Sequence, residues 1–470
     1  MKTKIILLTI LLLVTQAADA QIMFQRHYGG QYDDGGSSVL QTDDGGYIIA
    51  GRTMSYGNGS NDIYILKTDA NGNELWTKTY GGNGWDFPTD IKKTLDNCYI
   101  IVGGTSSFGA GASDAFMMKI DNNGDSLWFK TYGGSLDDKA FEVEICEDSG
   151  YIISGATSSF AVGFAAAYLI RTNYLGDTLW TKTYEKKDFN VANSIIKTNI
   201  DSFILVGVAE IGGTPGADGL VIKTNSIGDT LWMNTYGGAS YDEFYSICED
   251  NDGNYLLCGT TYNLTAGSYD VYLVKITNSG GLIWEKSIGG INADNAYSII
   301  KTSDNNFLVV GSTESYGSGG KDVYLIKFNS NGDTLWTRTF GSSGDDMAGS
   351  IRETNDGGYI ISGITNSFGN NYDIYLIKTD GSGISGINNN DIENGEFIIY
   401  PNPSSGTVYL EIPKTIDETV NCEIYSLQGE LVQSEKIETN TIKIDLPESG
   451  IYFITVTGKS FNVTRKIIIY

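Results

Sequence analysis

Apolar residues along the chain come in short runs separated by polar, glycine-bearing gaps, and the runs recur. GYIIAG (46–51), CYIIVG (98–103), GYIISG (150–155), SFILVG (202–207), NYLLCG (254–259), NFLVVG (306–311) and GYIISG (358–363) stand 52 residues apart. DIYILK (62–67), DAFMMK (114–119), DVYLVK (270–275), DVYLIK (322–327) and DIYLIK (373–378) keep the same step, the last one residue early. Trp76, Trp128, Trp180, Trp232, Trp284 and Trp336 follow it too, as do SSVLQT (37–42), NSIIKT (193–198) and YSIIKT (297–302). Runs this short, rich in β-branched and aromatic residues and bounded by Gly, Asn or Asp, predict strands. Each unit therefore holds four: a (SIxKT type), b (GYIIxG), c (DIYLIK) and d (LWTKTYGG).

Strands b and c are almost continuously apolar, as befits strands buried on both faces. Strand d alternates and carries Lys78, Lys182 or Arg338 at its centre, the way an outer edge resists mispairing. Between c and d a glycine recurs (Gly72, Gly124, Gly176, Gly228, Gly280, Gly332), in three units as the Asn-Gly of a tight hairpin. A four-stranded unit of about 50 residues repeated without helices predicts a β-propeller blade, and seven b strands predict seven blades. One strand has no unit of its own. FQRHYGG (24–30) aligns with WTKTYGG, whereas the seventh unit ends after DIYLIKTDG (373–381) without a d strand. The N-terminal strand is expected to fill that vacancy and so remove the free edges of the ring. The expected fold is all-β: a seven-bladed β-propeller over 21–382, a linker over 383–395 and a small β-sandwich over 396–470.

The two ends suggest an address. Lys2 and Lys4, the apolar run Ile5 to Val14 and Ala18-Asp19-Ala20 have the order of a secretory signal peptide over residues 1–20, with the mature chain starting at Gln21. The run is too short to span a bilayer, and no other stretch predicts a transmembrane segment. No Cys follows it, which argues against a lipid anchor. GSGISGINNNDIENGE (381–396) has flexible-linker composition. Beyond it, YPNPSSG (400–406), SLQGELV (426–432), SGIYFITV (449–456) and a basic-then-apolar end at Arg465 and Lys466 resemble the type A sorting domain of the Bacteroidetes type IX secretion system. The resemblance implies export to the periplasm, then passage through the outer membrane by type IX machinery acting on 396–470. The product would be secreted or held at the cell surface. In that family the sorting domain is commonly cut off, and the cargo is released or attached to surface polysaccharide. The terminus here, IIIY, departs from a strongly basic tail. The repeats resemble secreted seven-bladed propeller units of the pattern DGGYIIxG…DxYLxKxDxxGxxxWxxxYGG, which implies the fold and no particular activity.

Composition narrows the chemistry. Asp and Glu number 57 against 31 Lys and Arg, which argues against nucleic acid or an anionic membrane as partner. The five cysteines are odd in number, irregularly spaced and set in strand interiors, so they read as small hydrophobes. His27 is the only histidine, which argues against Ser-His-Asp or Cys-His catalysis and against a multi-histidine metal site. DANGN (69–73) and DNNGD (121–125) have the glycine in the fourth place and no following Glu, so hairpin turns explain them better than calcium loops. No catalytic residue, cofactor or metal is assigned.

Carboxylates recur in two places. Asp34, Asp86, Asp138, Asp242, Asp294 and Asp346, with Asn190 in the remaining unit, precede strand a; Asp62, Asp114, Asp218, Asp270, Asp322 and Asp373 open strand c, with Ala166 breaking the series. Acids repeated in identical surroundings are expected to lock loops. The d–a and b–c loops are expected on one face of the disc, and recognition where the blades differ. Trp85, Phe87, Phe189 and Tyr241 in the d–a loops are the candidate ligand-binding residues, with Phe164, Glu210 and Tyr262 in b–c loops. Aromatic rings beside acids can stack on sugars and bond their hydroxyls. The expected function is an exported, non-catalytic binding or scaffold protein for a glycan or a surface protein. Its alternative is a carboxylate-dependent polysaccharide hydrolase or lyase, which needs two acids in unlike surroundings. A rigid spacer is a third reading.

Overall fold

The computed structural model describes residues 22–385, apart from 187, 199–201, 211–215, 264–267 and 370, together with the strands and turns within 398–469. The signal-peptide and linker expectations fall largely outside these residues. Every regular element among the described residues is a strand. In the first blade strand a is Asp34–Gln41, b Tyr47–Thr53, c Asp62–Thr68 and d Glu74–Tyr80. Seven four-stranded antiparallel sheets of this order occupy residues 24–379. Each strand a touches the a strands of both neighbouring sheets, and the seventh, Asp346–Glu353, returns to the first. That closes the ring of a β-propeller. The seventh sheet takes its outer strand from the N-terminus: Phe24–Tyr28 pairs with Asp373–Thr379 in a register running from Phe24↔Lys378 to Tyr28↔Ile374.

Strands b and c are apolar on both faces because each sheet is sandwiched between two others. Ile48 and Ala50 of the first blade pack with Tyr99, Ile101 and Phe116 of the second. Ile100 and Val102 of the second pack with Tyr151 and Ile153 of the third. The core is thus a series of interblade layers and has no single centre.

The repeated tryptophan belongs to this layering. Trp76 lies against Gly124 in the c–d turn of the next blade, where φ is +81° and a side chain would strike the indole. Tyr80 donates its hydroxyl to the Gly124 carbonyl, and Lys78 meets Asp125 at 2.8 Å. Trp128 and Gly176 repeat the arrangement, with Tyr132 Oη 2.7 Å from the Gly176 oxygen. The lysine at the centre of strand d is therefore also a tie between blades; being exposed, that ion pair contributes little next to the half-buried ring. At the closing junction Phe24 replaces the tryptophan against Gly72, and Tyr28 donates to the Gly72 carbonyl. The turn after the last strand c packs Gly383 on Trp336, and Ser385 Oγ accepts from Gln25 Nε2 at 2.7 Å.

The C-terminal strands form two sheets. One holds Ile398–Tyr400, Thr407–Glu411 and Thr441–Asp445; the other Leu431–Ile437, Val420–Ser426, Gly450–Thr457 and Asn462–Ile469. Val408, Leu410 and Ile444 of the first share a core with Cys422, Ile424, Ile454 and Ile467 of the second. The cysteines are free, and burial pushes the Cys146 and Cys422 thiols up to about 11 and about 12.

Candidate ligand-binding face of the propeller

One hydrogen bond defines this face. A residue at the end of strand b in each blade donates its N–H to a carbonyl in the d–a loop: Met54 to Asp33, Ser106 to Trp85, Ser158 to Asp137, Glu210 to Phe189, Tyr262 to Tyr241, Glu314 to Ala293 and Asn366 to Asp345, over 2.8–3.1 Å. The b–c and d–a loops therefore share one side of the disc. The seven acceptors are one structural position at the head of the inner strand, and its side chain changes from blade to blade. Trp85 is 49% exposed and Phe189 37%. Trp85 is also fixed through its N–H, which donates to Ser106 Oγ at 2.6 Å.

The candidate aromatics do not form one cluster. Trp85 and Phe87 belong to the second blade, but Phe87 lies inside strand a (Asp86–Lys93) and not in the d–a loop, because the ladder begins at Asp86; the Lys139 ammonium of the third blade stands 6.0 Å from its ring centre. Phe189 sits at the head of the fourth, bridged to Ala165 next to the exposed Phe164. Tyr241 opens the fifth, its ring 6.2 Å from Tyr269, which in turn lies 5.2 Å from Tyr262. Glu210 ends strand b of the fourth blade and is exposed.

Residues inside strand a complete the face, and loop-centred reading misses them. Glu243 Oε2 accepts from Tyr241 at 2.6 Å and Tyr245 at 2.7 Å, and its Oε1 accepts from Asn193 at 2.8 Å. Tyr245 reaches Tyr297 of the next blade, ring centres 5.3 Å apart. The available signal was the 52-residue step itself, along which Thr89, Phe141, Asn193 and Tyr245 differ.

The recurring aspartates have defined partners. Asp34 accepts from Gly30 N–H and Ser55 Oγ, both at 2.7 Å; Asp294 repeats this with Gly290 and Ser315 at 2.7 Å. Asn190 Oδ1 accepts from Lys186 N–H at 3.0 Å in the same way. On strand c, Asp62 accepts from the N–H groups of Asn58 and Gly59 at 3.0 Å. Burial, with Asp346 close by, pushes Asp322 up to about 7. The aromatic residues expected to be structural behave similarly: Tyr56 donates to the Gly29 carbonyl at 2.9 Å and stacks on Tyr64.

One acidic pair does break the symmetry. Ser38, Asp90, Glu142, Ser194, Ser246, Ser298 and Ser350 are a single position of strand a, so two adjacent blades carry an acid where the others carry serine. Asp90 accepts from Ser38 Oγ at 3.0 Å and Val143 N–H at 3.3 Å. Glu142 accepts from Ser194 Oγ at 2.5 Å and Ile195 N–H at 3.1 Å, and Lys92 joins Glu142 to Glu144 at 3.2 and 2.9 Å. Burial pushes the Asp90 carboxyl up to about 6. Ser246 Oγ performs the serine version, accepting from Ile299 N–H at 3.3 Å. The acids latch neighbouring inner strands.

Residues 398–470 match the family model of the secretion system C-terminal sorting domain. The protein is therefore a β-propeller that carries a type IX sorting domain, which places it outside the cell or at its surface. Among solved structures, the extracellular domain of a one-component system from B. thetaiotaomicron is 12% identical with a TM-score of 0.45; the match covers 95% of this chain but 59% of that one. A polysaccharide lyase of family PL25, an ulvan lyase, is 10% identical with a TM-score of 0.47, covering 76% and 96%. The β-propeller domain of the trilobed protease from Pyrococcus furiosus is 10% identical with a TM-score of 0.42, covering 73% and 95%. No curated protein matches the chain.

Proposed function

We propose that the protein is a non-catalytic binding protein whose ligand, a glycan, docks on the face formed by the d–a and b–c loops. It reaches the periplasm through its signal peptide (1–20) and crosses the outer membrane through type IX machinery acting on 396–470. A surface-protein ligand is the other occupant compatible with that face. One observation carries the reading: a single backbone position, held identically seven times, presents Trp85, Phe189 and Tyr241 in some blades and Asp33, Asp137 and Asp345 in others. A rigid ring with unlike heads suits recognition, where exposed rings give contact area at small entropic cost. The hydrolase alternative draws on Asp90 and Glu142, but both are engaged by backbone N–H and hydroxyl donors.

The test is a glycan array and a polysaccharide-depletion assay on the mature chain, with reducing ends measured in parallel. Retention without new reducing ends, weakened about tenfold by Trp85→Ala, is the expected result. New reducing ends would overturn the non-catalytic reading and direct attention to Asp90 and Glu142.

A further inference from the structure

The inner strands enclose the central channel, and at the fifth blade its mouth carries a carboxylate between two phenols. Tyr241 heads strand a (Asp242–Glu249), with Glu243 and Tyr245 following at alternate places. The ladder pairs Phe244 with Gly259 and Ser246 with Cys258, so Tyr245 is bulged out of it. Tyr297 is the bulged residue of the sixth blade. A bulge re-aims its side chain, and here the two half-buried rings meet across neighbouring inner strands, 5.3 Å apart at 64°. The other blades carry Gly35, Phe87, Lys139, Val191, Asn295 and Met347 at the step of Glu243, so the carboxylate occurs once.

Every donor in this group is turned inward. Glu243, 8% exposed, accepts the hydroxyls of Tyr241 and Tyr245 on Oε2. Asn193 spends both amide hydrogens, one on Glu243 Oε1 at 2.8 Å and one on the Phe244 carbonyl at 2.9 Å. Burial, with Glu243 beside them, raises both phenols well above their ordinary range, so they keep the protons they donate. All three partners of Glu243 are neutral. The other buried acids at the inner ring, Glu142 and Asp90, instead have Lys92 at 3.2 Å and Arg352 at 3.9 Å. Glu243 makes no ion pair among the described residues, and its step-mates in the adjoining blades, Val191 and Asn295, are uncharged. A buried carboxylate without an opposite charge is costly.

We infer that the channel mouth at Glu243 receives the protonated amino group of an amino sugar, an assignment that rests on the glycan reading of this face. With their hydrogens committed inward, Tyr241, Tyr245 and Asn193 offer a ligand only acceptor oxygens, beside a negative charge. An ammonium is the complementary group, since it has three N–H donors and no acceptor. The rings of Tyr245 and Tyr297 add faces that attract a cation and stack on the sugar. An acetamido or carboxylate group would meet oxygen lone pairs and repulsion. The chain as a whole, with 57 acidic against 31 basic residues, draws cationic ligands to this mouth.

The experiment is calorimetric titration of the full chain with a β-1,4-linked glucosamine trimer, its fully N-acetylated counterpart and cyclohexylamine, at low salt and a pH that keeps the amines protonated. The trimer is expected to bind, and the acetylated one at least ~10-fold weaker, because acetylation removes the charge and two donors. Glu243→Gln, which keeps the size and an acceptor oxygen, is expected to weaken the trimer ~10-fold, and Tyr297→Ala ~3-fold. Thermal unfolding reports that the variants are folded; where Glu243→Gln is not, the contrast of amine with acetamide on the unaltered chain decides. Equal binding of the two trimers, binding undiminished in folded Glu243→Gln, or cyclohexylamine binding as tightly as the trimer would each overturn the assignment. A neutral glycan retained on the array while the amine trimer is ignored sinks this assignment and leaves the glycan reading standing; an array silent toward every glycan sinks both.

Discussion

The junction between the third and fourth blades differs from the others in three residues at once. At five junctions a glycine closing strand d lies between two carboxylates of neighbouring blades: Gly29 between Asp373 and Asp34, Gly81 between Asp62 and Asp86, Gly133 between Asp114 and Asp138, Gly289 between Asp270 and Asp294, and Gly341 between Asp322 and Asp346. Gly237 lies against Asp242, whose charge also reaches Asp218. At the third junction the corresponding residues are Ala166, Glu185 and Asn190. A side chain at Gly81 would overlap both acids, and φ there is not positive. At Gly81 the glycine is required for space, by two residues on different strands, while Gly133, Gly237 and Gly341 also hold positive φ (+159°, +148° and +151°); where the acids are gone a glutamate is accepted. Glu185 even finds a use, its Oε1 accepting from Val162 N–H at 2.8 Å.

The largest effect is expected where the ring closes without a covalent bond. Phe24→Ala removes the ring that stands in for tryptophan against Gly72 and should cost about 4 kcal/mol in guanidinium unfolding. A cost under about 1 kcal/mol would mean that the N-terminal strand does not hold the ring shut.

The next contrast is between two lysines. Lys275→Met strands the buried Asp250 and should destabilise by about 3 kcal/mol, whereas Lys223→Met, which breaks no ion pair among the described residues, should cost less. Equal costs would show that Lys223 has a charged partner after all. Gly81→Val should cost about 2 kcal/mol and Glu185→Val within about 0.5 kcal/mol, read by the same unfolding assay. If both are tolerated alike, the acid pair does not set the glycine.

The last contrast is one of pH. Asp322 is raised by burial to about 7, against about 3.9 in an unfolded chain. The native state then binds more protons than the unfolded state between those values, so stability grows as pH falls from about 7 towards 4. Asp322→Asn should flatten that part of the melting-temperature profile; an unchanged slope would assign it to other groups.

Much of this was legible beforehand because it is local or strictly periodic. Strand alternation, turn glycines and the 52-residue step give the blades, and the unmatched FQRHY segment gives the closing strand found against Asp373–Thr379. The loop-locking role of Asp34 and its equivalents was also readable, since the accepted N–H lies four residues away. Other features depend on neighbours distant in sequence. Glu243 and Tyr245 become part of the candidate face only when strand a is set at the inner ring beside Asn193 of the preceding blade. Trp85, Phe87, Phe189 and Tyr241 could be picked out by their variation, but not divided among three blades without a common contact.

By itself the sequence determined the unit, its number and the sorting signal at its end, because period and turn chemistry act within a few residues. Only the tertiary structure decided which acids are paired and which glycines must stay small. Those outcomes depend on how close two blades come, and a chain read one residue at a time carries no distances between them.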